Sequence, residues 1–292
     1  MKDNMIGKIC LVTGGTNGIG KATARALAQM GATVVIVGRD AQKAVQVCKE
    51  IQAASGSQNV DWLLADLSSQ QDIRRLAAEF KGKYSQLHVL INNAGGTFMT
   101  RQLSVDGIEM TFALNHLAYF LLTNLLLDTI KASAPARIIN VSSDAHSGGK
   151  IEFDNLQGER SYAGIGPYGN SKLANILFTT ELSRRLDGTG VTVNVLHPGL
   201  VNTGFGKNNP GLIMKIMGVV IPLIARSPEK GAKTPIYLVS SPAVQTITGQ
   251  YFVDCKVTQP APQATDSAVA RKLWDVSAEM VHLADAMPET IN

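Results

Sequence analysis

Along the chain, short, mostly apolar runs alternate with longer segments in which apolar residues recur every three or four positions. The runs cover 9–12, 33–37, 60–64, 89–91, 138–141, 191–196 and 251–253, and most are rich in Val, Ile and Leu. Between them, helical periodicity covers 18–30, 41–54, 70–84, 105–132, 168–186 and 228–240. A strand that is apolar at every position is buried on both faces, as in a parallel sheet with helices packed above and below. Right-handed crossovers make such an alternation a doubly wound sheet. The predicted fold is therefore α/β: a Rossmann-type parallel sheet of about seven strands with helices on both faces. No repeat, linker or composition break marks a second domain, so residues 1–292 are read as one.

Two segments stand outside this rhythm. Residues 147–167 form a polar, Gly-containing insertion between a strand and a helix, and 202–227 form a long excursion after the sixth strand. Open α/β sheets bind ligands at the carboxyl ends of their strands, where such insertions fall.

Composition narrows the function classes. Hydrophobic residues make up 45% of the chain and charged residues 17%, which supplies a core and argues against disorder. The net charge of +4 is spread without a block of one sign, so no nucleic-acid interface is expected. Cys10, Cys48 and Cys255 are odd in number and lack metal-ligand spacing, so they read as reduced thiols with no metal site. Residues 1–7 have no apolar signal-peptide core. The apolar stretch 212–225 is broken by Lys215, Gly218 and Pro222 and is shorter than the ~20 residues of a spanning helix. The expectation is a cytoplasmic protein without a transmembrane segment.

Candidate chemistry begins at the first strand. It runs into Gly14-Gly15-Thr16-Asn17-Gly18-Ile19-Gly20 and then a helix. Glycines let the backbone turn tightly and approach a phosphate closely, and helix N-terminal amides face the negative charge. The spacing is wider than the usual Gly-x-Gly-x-x-Gly dinucleotide fingerprint, but its position at the first strand–helix junction points to a dinucleotide. No Gly-Lys-Ser/Thr follows, which excludes a Walker-type loop. At the end of the second strand, Gly38 stands where an acid would bond the adenosine 2′-hydroxyl, and Arg39 follows. An arginine pairs bidentately with phosphate, which favours NADP(H) over NAD(H). The competing reading makes Arg39 a solvated residue and Asp40 the cap of the next helix.

Tyr168 and Lys172 open a later helix four positions apart and so share one of its faces. A tyrosine with a pKa near ~10 is a poor base at neutral pH, but a nearby ammonium favours its phenolate. The fifth strand ends in Ser142-Ser143, which brings hydroxyls to the start of the same helix. The pair is thus a candidate for general acid–base work.

Together these residues resemble the short-chain dehydrogenase/reductase superfamily over essentially the whole chain. The resemblance rests on the glycine turn, Asn92-Asn93-Ala94-Gly95, Asn115, Ser143, Tyr168 with Lys172, and Pro198-Gly199, all in the family's order. Segments 141–146, 155–158, 168–175, 184–190, 197–201 and 273–277 further resemble the retinol dehydrogenase-like branch, which acts on retinoids and other lipophilic carbonyls and alcohols, usually with NADP(H). The resemblance implies that Ser143 bonds the substrate oxygen and Tyr168 transfers the proton. Lys172 would lower the Tyr168 pKa and bond the nicotinamide ribose, and Asn115 would hold a water linking Lys172 to solvent. Asn93, Ala94 and Gly95 would lie beside the adenosine, Asp66 and Leu67 beside the adenine, and Pro198, Gly199, Val201 and Thr203 beside the nicotinamide. It also implies a homo-oligomer.

The remaining candidates carry less. His88, His116, His146, His197 and His282 form no His-x-x-x-His pair, and they read as structural, with His146 a candidate substrate contact. Trp62 and Trp274 read as packing residues. Arg184 and Arg185 at a helix end suit the macrodipole without needing a partner. The stretch 206–225, rich in Ile and Met, reads as a lid over a lipophilic pocket, a membrane-surface or dimer contact, or a buried helix. Alternatives to an enzyme are a nucleotide-sensing protein and a peripheral membrane or scaffold protein on the same fold.

Overall fold

The computed structural model describes residues 4–162, 165–201 and 225–283. Its strands are β1 (Ile9–Thr13), β2 (Thr33–Gly38), β3 (Val60–Leu64), β4 (Val89–Asn92), β5 (Ala136–Val141), β6 (Val191–His197), β7 (Tyr251–Val253) and β8 (Lys256–Val257). The main helices are α1 (Gly18–Gln29), α2 (Ala41–Ser55), α3 (Gln70–Lys83), α4 (Met110–Ala132), α5 (Gly166–Arg185), α6 (Lys233–Ser240) and α7 (Ser267–Met280). The sheet has eight strands in the order β3-β2-β1-β4-β5-β6-β7-β8. β1 to β7 pair in parallel and β8 returns antiparallel to β7. The expected α/β doubly wound architecture is present, with one strand more than expected.

Period-two alternation divides each central strand between two cores. Leu11, Val35, Val37 and Leu90 face a layer containing α3, α4, α5 and α7. Cys10, Val12, Val34, Ile36, Val89 and Ile91 face the layer of α1, α2 and α6. The order in which strands are added reverses between β1 and β4, which are hydrogen-bonded parallel neighbours. This switch point, open at the carboxyl ends of the strands, is where doubly wound sheets take their ligands.

Two expected helices differ in extent and one helix was not expected. The segment 105–132 becomes helical only at Met110, because the Glu109 carboxylate accepts the amides of Thr111 (2.8 Å) and Phe112 (2.7 Å) and caps the first turn. Val105 ahead of it is 83% exposed. The segment 228–240 divides into Pro228–Gly231 and α6. The helix α7 was not expected; it is capped by Asp266 and buries Ala270, Leu273, Trp274 and Ser277 on one face. Among the described residues, α4 is the helix long and apolar enough to cross a membrane, but 78% of its apolar window is buried inside the protein, as a core helix requires.

Candidate active site

The glycine turn is shaped by the ends of β1 and β4. Thr13 Oγ accepts the amides of Asn93 (2.8 Å) and Ala94 (3.1 Å), and Asn93 Nδ2 donates to the Thr13 carbonyl at 2.8 Å. Gly14 adopts φ +64°, a left-handed conformation that favours glycine. A Cβ on Gly20 would lie 2.3 Å from the Gly14 carbonyl oxygen and 2.5 Å from Asn93 Nδ2, so α1 packs on the turn with no room for a side chain. Asn17 makes no side-chain cap, and no acid occupies the first turn of α1, so its amides suit an anion. Thr16, Asn17, Gly18 and Ile19 complete the turn. The residues present therefore fit the diphosphate of a dinucleotide. Thr13 had no assigned role from the sequence, although its hydroxyl stitches the switch point together.

At the end of β2, a Cβ on Gly38 would lie 2.6 Å from Thr16 Cγ2. An acid at this place would displace the turn residue packed over it. Arg39 is exposed and forms no hydrogen bond or ion pair among the described residues. Asp40 caps α2, accepting the Lys43 amide at 3.0 Å. Of the two sequence readings of this dipeptide, the structure shows the second: Asp40 is the cap and Arg39 is exposed.

The side chains expected to act converge at the ends of β4 and β5. Lys172 is 3% exposed, and its Nζ donates to the Val141 carbonyl at 3.0 Å. It lies 5.6 Å from the centroid of the Tyr168 ring and 5.7 Å from that of Tyr119, in reach of cation–π attraction to each. A Cβ on Gly95 would lie 3.5 Å from Lys172 Nζ, so the β4 loop reaches the same point. Ser143 hydrogen-bonds Tyr168 and also accepts the Ala145 amide at 3.2 Å. Ser142 is buried and donates to the Lys172 carbonyl at 2.7 Å. The two serines thus divide the work, one facing the tyrosine and one anchoring α5.

Electrostatics departs from expectation. Burial pushes the Tyr168 phenol up to about 12, with the Ser143 hydrogen bond acting in the opposite direction. Burial also pushes Lys172 down to about 7. The expected depression of Tyr168 by the ammonium is not seen, because Lys172 faces the ring while its bond goes to Val141, and desolvation dominates both groups.

Asn115 is fully enclosed. Its Oδ1 accepts the Gly96 amide at 2.8 Å, and its Nδ2 donates to the Gly96 carbonyl and to Ser171 Oγ, each at 2.9 Å. Ser171 in turn donates to the Tyr168 carbonyl at 2.8 Å. The Asn115 side chain thus ties the β4 loop to α5. Asn115 sits in a π-helical turn, Ala113–Leu117, which widens α4 at this point. Behind it, His116 bonds Ser277 of α7 at 2.8 Å, and burial lowers its pKa to about 4. A buried chain of amides and hydroxyls then crosses the sheet. Asn92 donates to Thr123 (3.0 Å) and Asn140 (2.9 Å), and Asn140 donates to Thr179 (2.9 Å).

The other candidates distribute as follows. Ile19 and Val201 converge on Gly231, whose added Cβ would meet both. Gly199 has φ +84° and lies against the Arg226 side chain. Pro198 precedes it at the end of β6, half-buried. Asp66 accepts the Ser68 amide at 2.9 Å, and Leu67 is buried in the α3 core. Thr203 and most of 202–227, including the apolar stretch 206–224, lie outside the described residues. His146 is buried, with both ring nitrogens hydrogen-bonded within the protein. Arg184 and Arg185 do have a partner: both pair with Glu181, at 2.8 and 2.7 Å, and Arg185 stacks on Trp274 at 4.1 Å.

The family profile of short chain dehydrogenases matches residues 8–210. Human retinol dehydrogenase 11 is 44% identical over 277 residues, 95% of this chain and 86% of its own. Human retinol dehydrogenase 14 is 45% identical over 294 residues, 96% and 88%. Among solved structures, the Pseudomonas aeruginosa RhlG/NADP active-site complex is 28% identical with a TM-score of 0.68, over 86% of this chain and 96% of that one.

Proposed function

The chain belongs to the short chain dehydrogenase family, in its retinol dehydrogenase-like branch, and on that premise we propose an NADP(H)-dependent oxidoreductase acting on a lipophilic aldehyde, ketone or alcohol of retinoid-like character. The observation that carries the proposal is the meeting of Ser143, Tyr168 and Lys172 beside the glycine turn, on one edge of the sheet.

In this reading the turn from Gly14 to Gly20 holds the diphosphate, and Arg39 pairs with the 2′-phosphate. Asp66, Leu67, Asn93, Ala94 and Gly95 flank the adenosine half, and Pro198, Gly199 and Val201 flank the nicotinamide half. The bound cofactor supplies or accepts the hydride at the substrate carbon. Tyr168 is held protonated at neutral pH by burial, so its phenol donates a proton to the carbonyl oxygen during reduction. Ser143 donates a hydrogen bond to the same oxygen and polarises it. Lys172 lies over the Tyr168 ring and would bond the nicotinamide ribose.

NADP(H) is supported by Gly38, where Thr16 leaves no space for an acid, by the available Arg39, and by the similar NADP complex. A lipophilic substrate is supported by the names of the relatives. The exposed Ile165 (62%) and Leu200 (53%) add to this, standing in the segments that lead into Tyr168 and out of Gly199. The same reading places the enzyme in the cytoplasm as a homo-oligomer; flotation of the purified chain with vesicles would reveal a membrane-bound form instead. The direct test is NADPH and NADH consumption against retinals, aliphatic aldehydes, steroids and aryl ketones. Turnover of retinal or long-chain aldehydes with NADPH is expected. NADPH binding without turnover of any carbonyl would replace the enzyme with a nucleotide sensor.

A further inference from the structure

Two imidazoles grip the turn that carries Ser143. His197, at the end of β6, accepts the Asp144 amide on Nδ1 at 3.1 Å. His146, in the short helical turn Asp144–Gly148, bonds the Ser143 carbonyl through Nδ1 at 2.8 Å and accepts the Ala261 amide on Nε2 at 3.1 Å. A backbone N–H can only donate, so the partners define the protonation of both rings. His197 must present a lone pair at Nδ1. His146 must present one at Nε2, which leaves its proton on Nδ1 to donate to Ser143. Each ring is therefore in its neutral form.

The surroundings enforce these orientations. His146 is buried and stacks edge-on against Tyr251 at 5.1 Å. Gln263 donates to the Ser147 carbonyl at 2.8 Å, so the segment leading to α7 closes over the same turn. On the His197 side, the Ser142 amide bonds the Leu196 carbonyl at 2.7 Å, holding β5 and β6 together up to the serine pair. The charged and titratable groups around His197 are Asp144, Asp254, Arg226 and His146, with Arg226 paired to Asp254. Tyr251 faces His146.

We propose that His197 and His146 are positioning residues for Ser143, clamping its turn from β6 and from the 261–263 segment, the His197 contact holding only while that ring is neutral. Protonating His197 would set an N–H against the Asp144 N–H. That event loosens the backbone on which Ser143 is mounted, and a displacement near 1 Å in a reacting group costs up to ~100-fold in rate. Burial lowers the His197 pKa from its ordinary value, the direction that favours the neutral ring. This inference rests on the reading that Ser143 bonds the substrate oxygen.

The test pairs hydrogen exchange with kinetics, using NADPH and all-trans-retinal as probes. His197→Leu removes the acceptor, and His197→Asn places an amide oxygen where Nδ1 stood. In His197→Leu, the Asp144 amide should exchange at least roughly 10-fold faster. Its kcat should fall about 10- to 100-fold with the KM for NADPH nearly unchanged. His197→Asn should restore slow exchange and most of kcat, and its activity should persist to lower pH than the wild type because an amide does not titrate. Unchanged Asp144 exchange in His197→Leu, or coincident acid limbs for His197→Asn and wild type, would overturn the clamp. If His197→Leu does not fold, the acid limb of His197→Asn decides. Fast exchange with no turnover of any carbonyl by the wild type would sink the functional reading and leave the clamp standing.

Discussion

The β1–α1 turn and the start of α5 lie along the same carboxyl edge of the sheet, yet they are built from opposite materials. The turn works through backbone: Gly14 in a left-handed conformation, Gly20 packed 2.3 Å (as an added Cβ) from a carbonyl, and Gly38 beneath Thr16. The start of α5 works through side chains largely held out of water: the buried Lys172 beside a half-buried Tyr168 and, behind them, Asn115 and the buried amide chain. A backbone site carries little stored cost, because its polar groups belong to the chain anyway. A side-chain site made of buried ionisable groups is destabilised in the folded state, and substitution there trades activity for stability.

The sharpest break of that contrast is Lys172→Met. Turnover should fall by about 10²- to 10⁴-fold, while the protein becomes more stable near neutral pH. Lys172 is lowered from 10.5 to about 7 by burial, so between these values the unfolded chain binds the extra proton. Wild-type stability should therefore rise with pH across that window, and the variant should lose this part of the rise. Thermal melts of the two proteins at several pH values read the difference directly; parallel curves would refute the destabilised-lysine account.

Gly20→Ala probes the other side. The added methyl must push against Gly14 and Asn93, so the Kd for NADPH should rise about 10-fold or more, at a cost of roughly 1–3 kcal/mol. Titration of protein fluorescence with NADPH measures it, and wild-type affinity would show that the turn does not hold the cofactor. Arg39→Asp should lower the NADP(H)/NAD(H) ratio of kcat/KM by about 10-fold, in keeping with one lost charge-assisted pair. An unchanged ratio removes Arg39 from that role. The smallest effect is expected for Asp40→Ala, which loses the α2 cap, about 1 kcal/mol of stability, with kcat unaltered.

How much of this was legible follows the same division. Strands buried on both faces announce themselves as apolar runs, and the glycine turn, Ser143, Tyr168 and Lys172 stand in recognisable order. Spacing shows that Tyr168 and Lys172 share a helical face, but it cannot show that burial outweighs their mutual attraction. The π-helical turn around Asn115 leaves no mark, since shifting a hydrogen bond by one residue does not change the hydrophobic period. Val105 and Ile108 extend the apolar period of α4 past its true start, because the cap at Glu109 competes with periodicity. The contacts of His146 and His197 join β5 to β6 and to the 261–263 segment, distances along the chain that no local pattern encodes. Glu181 with Arg184 and Arg185, by contrast, is readable as i,i+3 and i,i+4 spacing.

The claim on which the rest depends is that Tyr168 moves the proton while the glycine turn holds the cofactor independently of it. Tyr168→Phe tests it in one protein, by NADPH titration alongside single-turnover reduction of all-trans-retinal. The expected result is an NADPH Kd within a few-fold of wild type and a rate reduced by about 10²- to 10⁴-fold. A variant that still reduces retinal at a rate near wild type, with the cofactor bound, would contradict it.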